Sequence, residues 1–118
     1  MDKQLVHEKL ESLRRCIKRI ETKRPQTFQE LKNNLDLQDI LSVNLERAVQ
    51  MCVDIGAHII AKTESKPPET MAKTFDFLAK KQIITESTAL AMKKAVGFRN
   101  IAVDNYQAVN WEIVFNIC

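Results

Sequence analysis

The sequence predicts an all-α fold, a four- or five-helix up-and-down bundle, and three observations carry that prediction. Apolar residues recur at steps of three and four through most of the chain, which is the spacing of one helix face. No segment sustains the two-residue alternation of a half-buried strand. Connections between the periodic stretches are short except for one Pro-Pro loop, so neighbouring helices should run antiparallel. With 118 residues, 45% hydrophobic side chains, 2 Gly and 3 Pro, the chain reads as one domain, 1–118, with enough apolar content for a core.

The first helix is expected over about residues 2–21, where Val6, Leu10, Leu13, Ile17 and Ile20 share a face that Cys16 widens. Its other side carries Arg14, Arg15, Lys18 and Arg19, continued by Lys23 and Arg24. Such a cluster can attract phosphates, but a charge run on a helix is usually a solvated face, and it is read as one here. Pro25 breaks the chain. Thr27, with Glu30 three residues on, is a capping-box pattern for a short helical turn around Phe28 and Leu31.

Asp36, with Asp39 in the reciprocal position, opens the longest periodic run, which passes through Leu37, Leu41, Leu45, Cys52 and Ile59 to Lys62. At 1.5 Å per residue that helix is on the order of 40 Å long. Gly56 inside it costs roughly 1 kcal/mol against Ala, which signals the close approach of another backbone. Asp54 and His58 form an i, i+4 pair, but spacing supplies no third ligand, so the His reads as a hydrogen-bonded core or rim residue rather than part of a metal site.

Residues 63–70, with Ser65, Pro67 and Pro68, form the clearest loop. A third helix then carries Met71, Phe75, Leu78 and Ala79 inward and ends near Lys80-Lys81. Thr85 caps a fourth, with Ile84 and Ala89 placed as a hydrophobic staple, which runs through Leu90, Ala91 and Ala95 to Gly97. Asn110 caps a last helix in which Trp111, Val114 and Ile117 share a face.

Charge and cysteine content narrow the function classes. Eighteen Lys and Arg against fifteen Asp and Glu give a net charge of +3 and a pI near 8.8, a mild basic bias that permits nucleic-acid binding without requiring it. The N-terminal stretch lacks the apolar core of a secretory signal, and nothing approaches the roughly 18 to 20 apolar residues of a membrane span, so a cytoplasmic protein with no membrane partner is expected. Cys16, Cys52 and Cys118 are odd in number and scattered among apolar positions, which predicts reduced core thiols rather than disulfides or a metal site.

Chemistry is concentrated between Gly97 and Tyr106. Arg99 and Tyr106 are seven residues apart, nearly one face of an unbroken helix, whereas Asp104 lies roughly 140° round the axis from Arg99. The three converge only if the helix bends between them. Gly97 is a plausible helix stop, and Asn100 and Asn105 tolerate the backbone of a bend, so the stretch reads as a corner displaying an arginine, a carboxylate and a phenol. On the residues alone, Asp104 reads as an N-cap of the final turn and Arg99 as a member of a surface ion pair.

The run Arg99-Asn100-Ile-Ala-Val-Asp104-Asn105-Tyr106 resembles the Arg-x4-His-x-Tyr signature of HEPN-domain proteins of the HepT-like toxin group, preceded by the typical Val-Gly-Phe. The long helix from Gln38-Asp39 to His58-Ile59-Ile60 and the closing Trp111-Glu-Ile-Val-Phe are similar to that group as well, so the resemblance spans essentially the whole chain. It implies a helical homodimer that cuts RNA without a metal or other cofactor, in a cleft lined by the motif Arg and His. It also implies a partner, an MNT-type nucleotidyltransferase antitoxin that transfers AMP from ATP to the motif tyrosine. Carried over, Arg99 stabilises the charged phosphoryl transition state, Asn100 supports the corner, and Tyr106 accepts AMP.

Asp104 stands where the family has its His. Attack by a ribose 2′-hydroxyl wants a group titrating near neutrality that removes one proton and returns another to the leaving oxygen. Aspartate side chains ordinarily titrate near 3.9, too low for the acid half of that task. A carboxylate also repels phosphate and can pair with Arg99. The sequence therefore predicts a ribonuclease toxin impaired by Asp104, with a non-catalytic scaffold that binds a nucleotidyltransferase as the alternative.

Overall fold

Five of the helices begin where a side-chain oxygen accepts a backbone N–H from the first turn. Thr27 accepts from Glu30, Asn34 from Leu37, Thr70 from Lys73 and Thr85 from Thr88, and Asn110 from both Glu112 and Ile113. The structure, a computed structural model, describes residues 3–63 and 65–118. Its elements are α1 (Lys3–Lys23), α2 (Phe28–Lys32), α3 (Leu35–Lys62), α4 (Met71–Lys80), α5 (Glu86–Asp104), a 3-10 turn (Tyr106–Ala108) and α6 (Trp111–Ile117). All regular structure among the described residues is helical, as four long helices with α2 and α6 as short additions. Asp2, expected to open the first helix, and Glu64 of the Pro-Pro loop lie outside the described residues.

Three boundaries differ from expectation. The start of α3 is set by Asn34, not Asp36, because the Asn34 carboxamide reaches the Leu37 N–H at 3.0 Å; Asp39 is then free to bond elsewhere. The first helix runs on to Lys23. The fourth does not stop at Gly97: α5 continues unbroken to Asp104, since Gly97 holds an ordinary helical φ and the bend falls at Asn105. A mid-helix glycine costs about 1 kcal/mol but does not by itself end a helix.

α3, about 42 Å long at 1.5 Å per residue, spans most of the molecule's 47 Å length. α1 lies antiparallel along it, with Lys9 meeting Asp54 near one end and Ile20 packed with Leu41 and Leu45 near the other. Because α3 covers only one side of α1, the buried stripe is narrow: Cys16 and Ile20 are enclosed, while Ile17, expected inward, is 43% exposed. Two apolar clusters result. One gathers Ile20, Leu31, Leu41, Phe98 and Val114 at the end that holds the 3-10 turn. The other gathers Val49, Ile60, Phe75, Leu78 and Val96 where α4 crosses α3 and α5. The basic face of α1 is solvated, with Arg14 on Glu11 and Arg15 on Ser12, while Arg24 donates to the Cys118 carbonyl. All three cysteines are free, and burial pushes the Cys52 and Cys118 thiols up, away from the reactive thiolate.

Gly56 does mark a close approach, though by side chains rather than backbone. A Cβ there would stand 2.8 Å from Thr74 Cγ2 and 3.2 Å from Leu78 Cδ1. Thr74 is fully enclosed and β-branched, so it has no rotamer to retreat into. Gly56→Ala is expected to lower stability by about 1 to 2 kcal/mol, overpacking outweighing the gain in helix propensity. Thermal or urea unfolding checks it; an unchanged or raised midpoint would show that α4 gives way.

Candidate active site

α5 runs antiparallel to α3, and two of its polar residues reach across. Arg99 Nη2 donates to Gln50 Oε1 at 3.1 Å, and beyond the Asn105 corner the Tyr106 hydroxyl donates to Asp39 Oδ1 at 2.9 Å. The receiving residues belong to a row on α3, Asp39, Glu46, Gln50 and Asp54, spaced seven, four and four so that they climb one side of the helix.

A hydrogen-bond relay holds the arginine. Lys9 Nζ donates to Asp54 Oδ2 at 2.8 Å, and Gln50 Nε2 donates to Asp54 Oδ1 at 2.9 Å. Since a carboxylate only accepts, the Gln50 amide must turn its nitrogen to Asp54, which leaves its oxygen facing Arg99. Asn100 Oδ1 accepts from Arg99 Nη1 at 3.3 Å. The guanidinium is thus held by two neutral amide oxygens and makes no ion pair among the described residues, which leaves its charge unneutralised by direct contact. Burial pushes the Asp54 carboxyl up, but the bonds from Lys9 and Gln50 together with the Lys9 charge outweigh it and hold the group below its ordinary value. Glu46, between Asp39 and Gln50, is displaced the other way: burial raises it more than the charges of Arg99 and Arg47 lower it.

Tyr106 opens the 3-10 turn because Asn105 leaves the helical region, φ −154° and ψ 84°, after the last turn of α5. Its ring stands edge-on to Trp111 at 5.7 Å between centroids. Burial pushes the phenol above its usual value; a hydrogen bond with Ser42 opposes this, while the bond to Asp39 and the charges of Asp39 and Glu46 add to it. The phenol is therefore neutral at pH 7.

The expected convergence of three residues is not what α5 produces. Arg99 and Tyr106 both dock on α3, but their anchors Gln50 and Asp39 are eleven residues apart, about 16 Å along the axis. Asp104 joins neither: it is the last residue of α5, exposed, and its side chain makes no hydrogen bond or ion pair among the described residues. It does not cap the final helix, which Asn110 does, and it does not pair with Arg99, because the unbroken helix keeps the two on different faces. Arg99 is likewise not in a surface ion pair. Asn100 supports the guanidinium directly rather than the bend.

Gln50 and Glu46 were not singled out from sequence, and Asp39 was read as a helix cap. The available signal was the polar row itself, four hydrogen-bonding residues at near-helical spacing within an otherwise apolar run. His58 does not bond to Asp54; burial first and Lys62 second push its imidazole down. No cluster of three metal-binding side chains occurs among the described residues, and no helix among them is long and apolar enough to cross a membrane.

On the far side of α5, an apolar groove of about 760 Å³ runs against α6, lined by Leu90, Phe98, Ile101, Val109, Ile113 and Ile117. Leu90 is 57% exposed on its rim. Gly97 lies on its wall, and a Cβ there would meet nothing within 4 Å.

The sequence pattern described as ribonuclease HepT-like matches residues 13–118. The mRNA nuclease HepT of Shewanella oneidensis is 35% identical over 116 residues, covering 96% of this chain and 84% of that protein. Among solved structures, a crystal structure of a toxin–antitoxin with AMP-PNP superposes with a TM-score of 0.87 at 33% identity, over 98% of this chain and 86% of that one. A tri-AMPylated Shewanella oneidensis HEPN toxin in complex with MNT antitoxin superposes with a TM-score of 0.85 at 34% identity, over 99% and 86%.

Proposed function

The chain belongs to the ribonuclease HepT-like family, and from that membership we propose that it is the toxin of a toxin–antitoxin pair, a single-domain, metal-independent endoribonuclease. The observation that carries the reading is the motif's placement: Arg99 and Tyr106 are both delivered to the polar row of α3 by one helix and its corner. The similarity to an mRNA nuclease over 96% of this chain supports the substrate class.

In this reading Arg99 meets the phosphoryl group. Its guanidinium, oriented by Gln50 and Asn100 and making no ion pair among the described residues, can fork two N–H groups onto non-bridging oxygens as charge develops there. The motif position at the end of α5 should move the protons, taking one from the 2′-hydroxyl and giving one to the leaving oxygen. Asp104 occupies it and is poorly matched to the task, so this form is impaired as a nuclease. Tyr106 is the acceptor of AMP from a nucleotidyltransferase antitoxin, a partner supported by the solved complexes of its relatives.

A homodimer completes the reading, with the α5–α6 groove as its face. Leu90, Ile101 and Ile113 are each more than 40% exposed there, and Gly97 costs α5 about 1 kcal/mol while clearing space only toward the outside of the molecule.

The exposed, unpartnered Asp104 carboxylate favours a second reading, a non-catalytic scaffold that still engages the nucleotidyltransferase. One experiment separates them: RNA cleavage by this chain and its Asp104→His variant, beside co-purification with a nucleotidyltransferase and mass measurement of AMP on Tyr106. Cleavage by the variant supports the ribonuclease; partner binding without cleavage by either supports the scaffold. Neither cleavage nor partner overturns both.

A further inference from the structure

We propose that Asp39 is the catalytic base for AMP transfer to Tyr106, so that the toxin itself supplies the group that accepts the phenolic proton. The inference rests on Tyr106 being the AMP acceptor, as proposed above.

Three observations lead to it. The Tyr106 hydroxyl donates to Asp39 Oδ1 at 2.9 Å across a sequence separation of 67 residues, so the contact is made by the packing of the 3-10 turn on α3 and not by local chain geometry. A phenol is ordinarily neutral at pH 7 and the surroundings of this one push it further up, so its oxygen becomes a competent nucleophile only as its proton leaves. The groups that face it are few: Asp39, Ser42 and Glu46 from α3 and the Trp111 ring from α6, while the neighbouring Asp104 on its own segment makes no contact with it. Ser42 is a neutral hydroxyl, and Glu46 acts on the phenol through charge without a hydrogen bond. Asp39 alone is a carboxylate already in line with the O–H. It makes no ion pair among the described residues, and it is exposed, so an accepted proton can pass on to water.

The step balances with ATP as co-reactant. The Tyr106 phenolic oxygen attacks the α-phosphorus, and the new O–P bond forms as the bond to the bridging oxygen of pyrophosphate breaks. Pyrophosphate leaves with that electron pair. The electrons of the O–H bond remain on the attacking oxygen and the proton moves to Asp39 Oδ1.

The deciding variant is Asp39→Asn, whose amide oxygen still accepts the phenolic hydrogen bond but cannot take the proton. A nucleotidyltransferase that binds the chain is supplied with ATP, and initial AMP incorporation is measured for the unaltered chain, Asp39→Asn, Asp39→Glu and Tyr106→Phe. Asp39→Asn is expected to be slower by on the order of 100-fold at pH 7 with unchanged partner binding. Its rate should climb with pH as the phenol ionises unaided, and Asp39→Glu should recover part of the loss. Labelling of Asp39→Asn at the unaltered rate overturns the inference; so does a slow rate that stays flat with pH, which would assign Asp39 a structural part only. Absence of label on the unaltered chain, or equal label on Tyr106→Phe, overturns the acceptor reading instead.

Discussion

Asp104→His is expected to raise RNA cleavage by about 100- to 10,000-fold at pH 7, the range that an acid–base residue typically contributes. An imidazole titrating near 6.5 exists in both protonation states at neutral pH, so it can take the 2′-hydroxyl proton in one form and supply the leaving oxygen from the other. The position suits it. Residue 104 ends α5, where the helix dipole presents its negative end, and a carboxylate there is opposed by about 0.3 to 1 kcal/mol whereas an imidazolium is favoured. No neighbour has to be displaced, because Asp104 is exposed and bonded to nothing among the described residues. The variant should therefore fold at least as stably as the unaltered chain. Cleavage of a defined RNA, with and without chelator, tests this; equal cutting by both forms would remove Asp104 from the site, and chelator sensitivity would contradict a metal-free reaction.

Arg99→Ala, made in the Asp104→His background, is expected to remove about 100- to 1,000-fold of the restored activity, as loss of a positioned transition-state donor does. The relay behind Arg99 sharpens the expectation. Gln50 is fixed by Asp54, and Asp54 by Lys9, so the guanidinium is oriented before any substrate arrives. Arg99→Lys keeps the charge but loses the planar fork, and should recover only a minor part. Single-turnover rates at saturating RNA distinguish lost transition-state stabilisation from lost binding. A variant with unchanged rate and weaker RNA binding would make Arg99 a docking residue, with the phosphoryl chemistry placed elsewhere.

The features legible in the sequence are the ones that depend on neighbours along the chain. Thr27, Thr85 and Asn110 cap helices because each needs only an N–H two or three residues away, and the apolar period of α3 identifies the longest helix without reference to its partners. Gly97 misled because its helix cost is small against the packing of Val96 and Phe98 on either side, both of which are buried. The motif stretch itself was legible as a unit, but where its side chains land was not. Gln50 and Asp39 looked like ordinary polar positions on an amphipathic helix; only the register of α5 on α3 makes them anchors. Leu90 and Ile101 were similarly opaque, since an apolar residue left on the outside has the same periodicity as one turned in.

The contacts that define the site close loops of 49 and 67 residues, and this bears on when a toxic protein can first become dangerous. A growing chain can wind α3 early, yet the polar row on it stays empty until α5 and the Asn105 corner have left the ribosome and folded back past α4. Closure over such distances is paid in chain entropy before any bond is gained, so a truncated or half-made product holds neither the oriented guanidinium nor the docked phenol. Synthesis order thus keeps the site unassembled until the chain has been made past Tyr106.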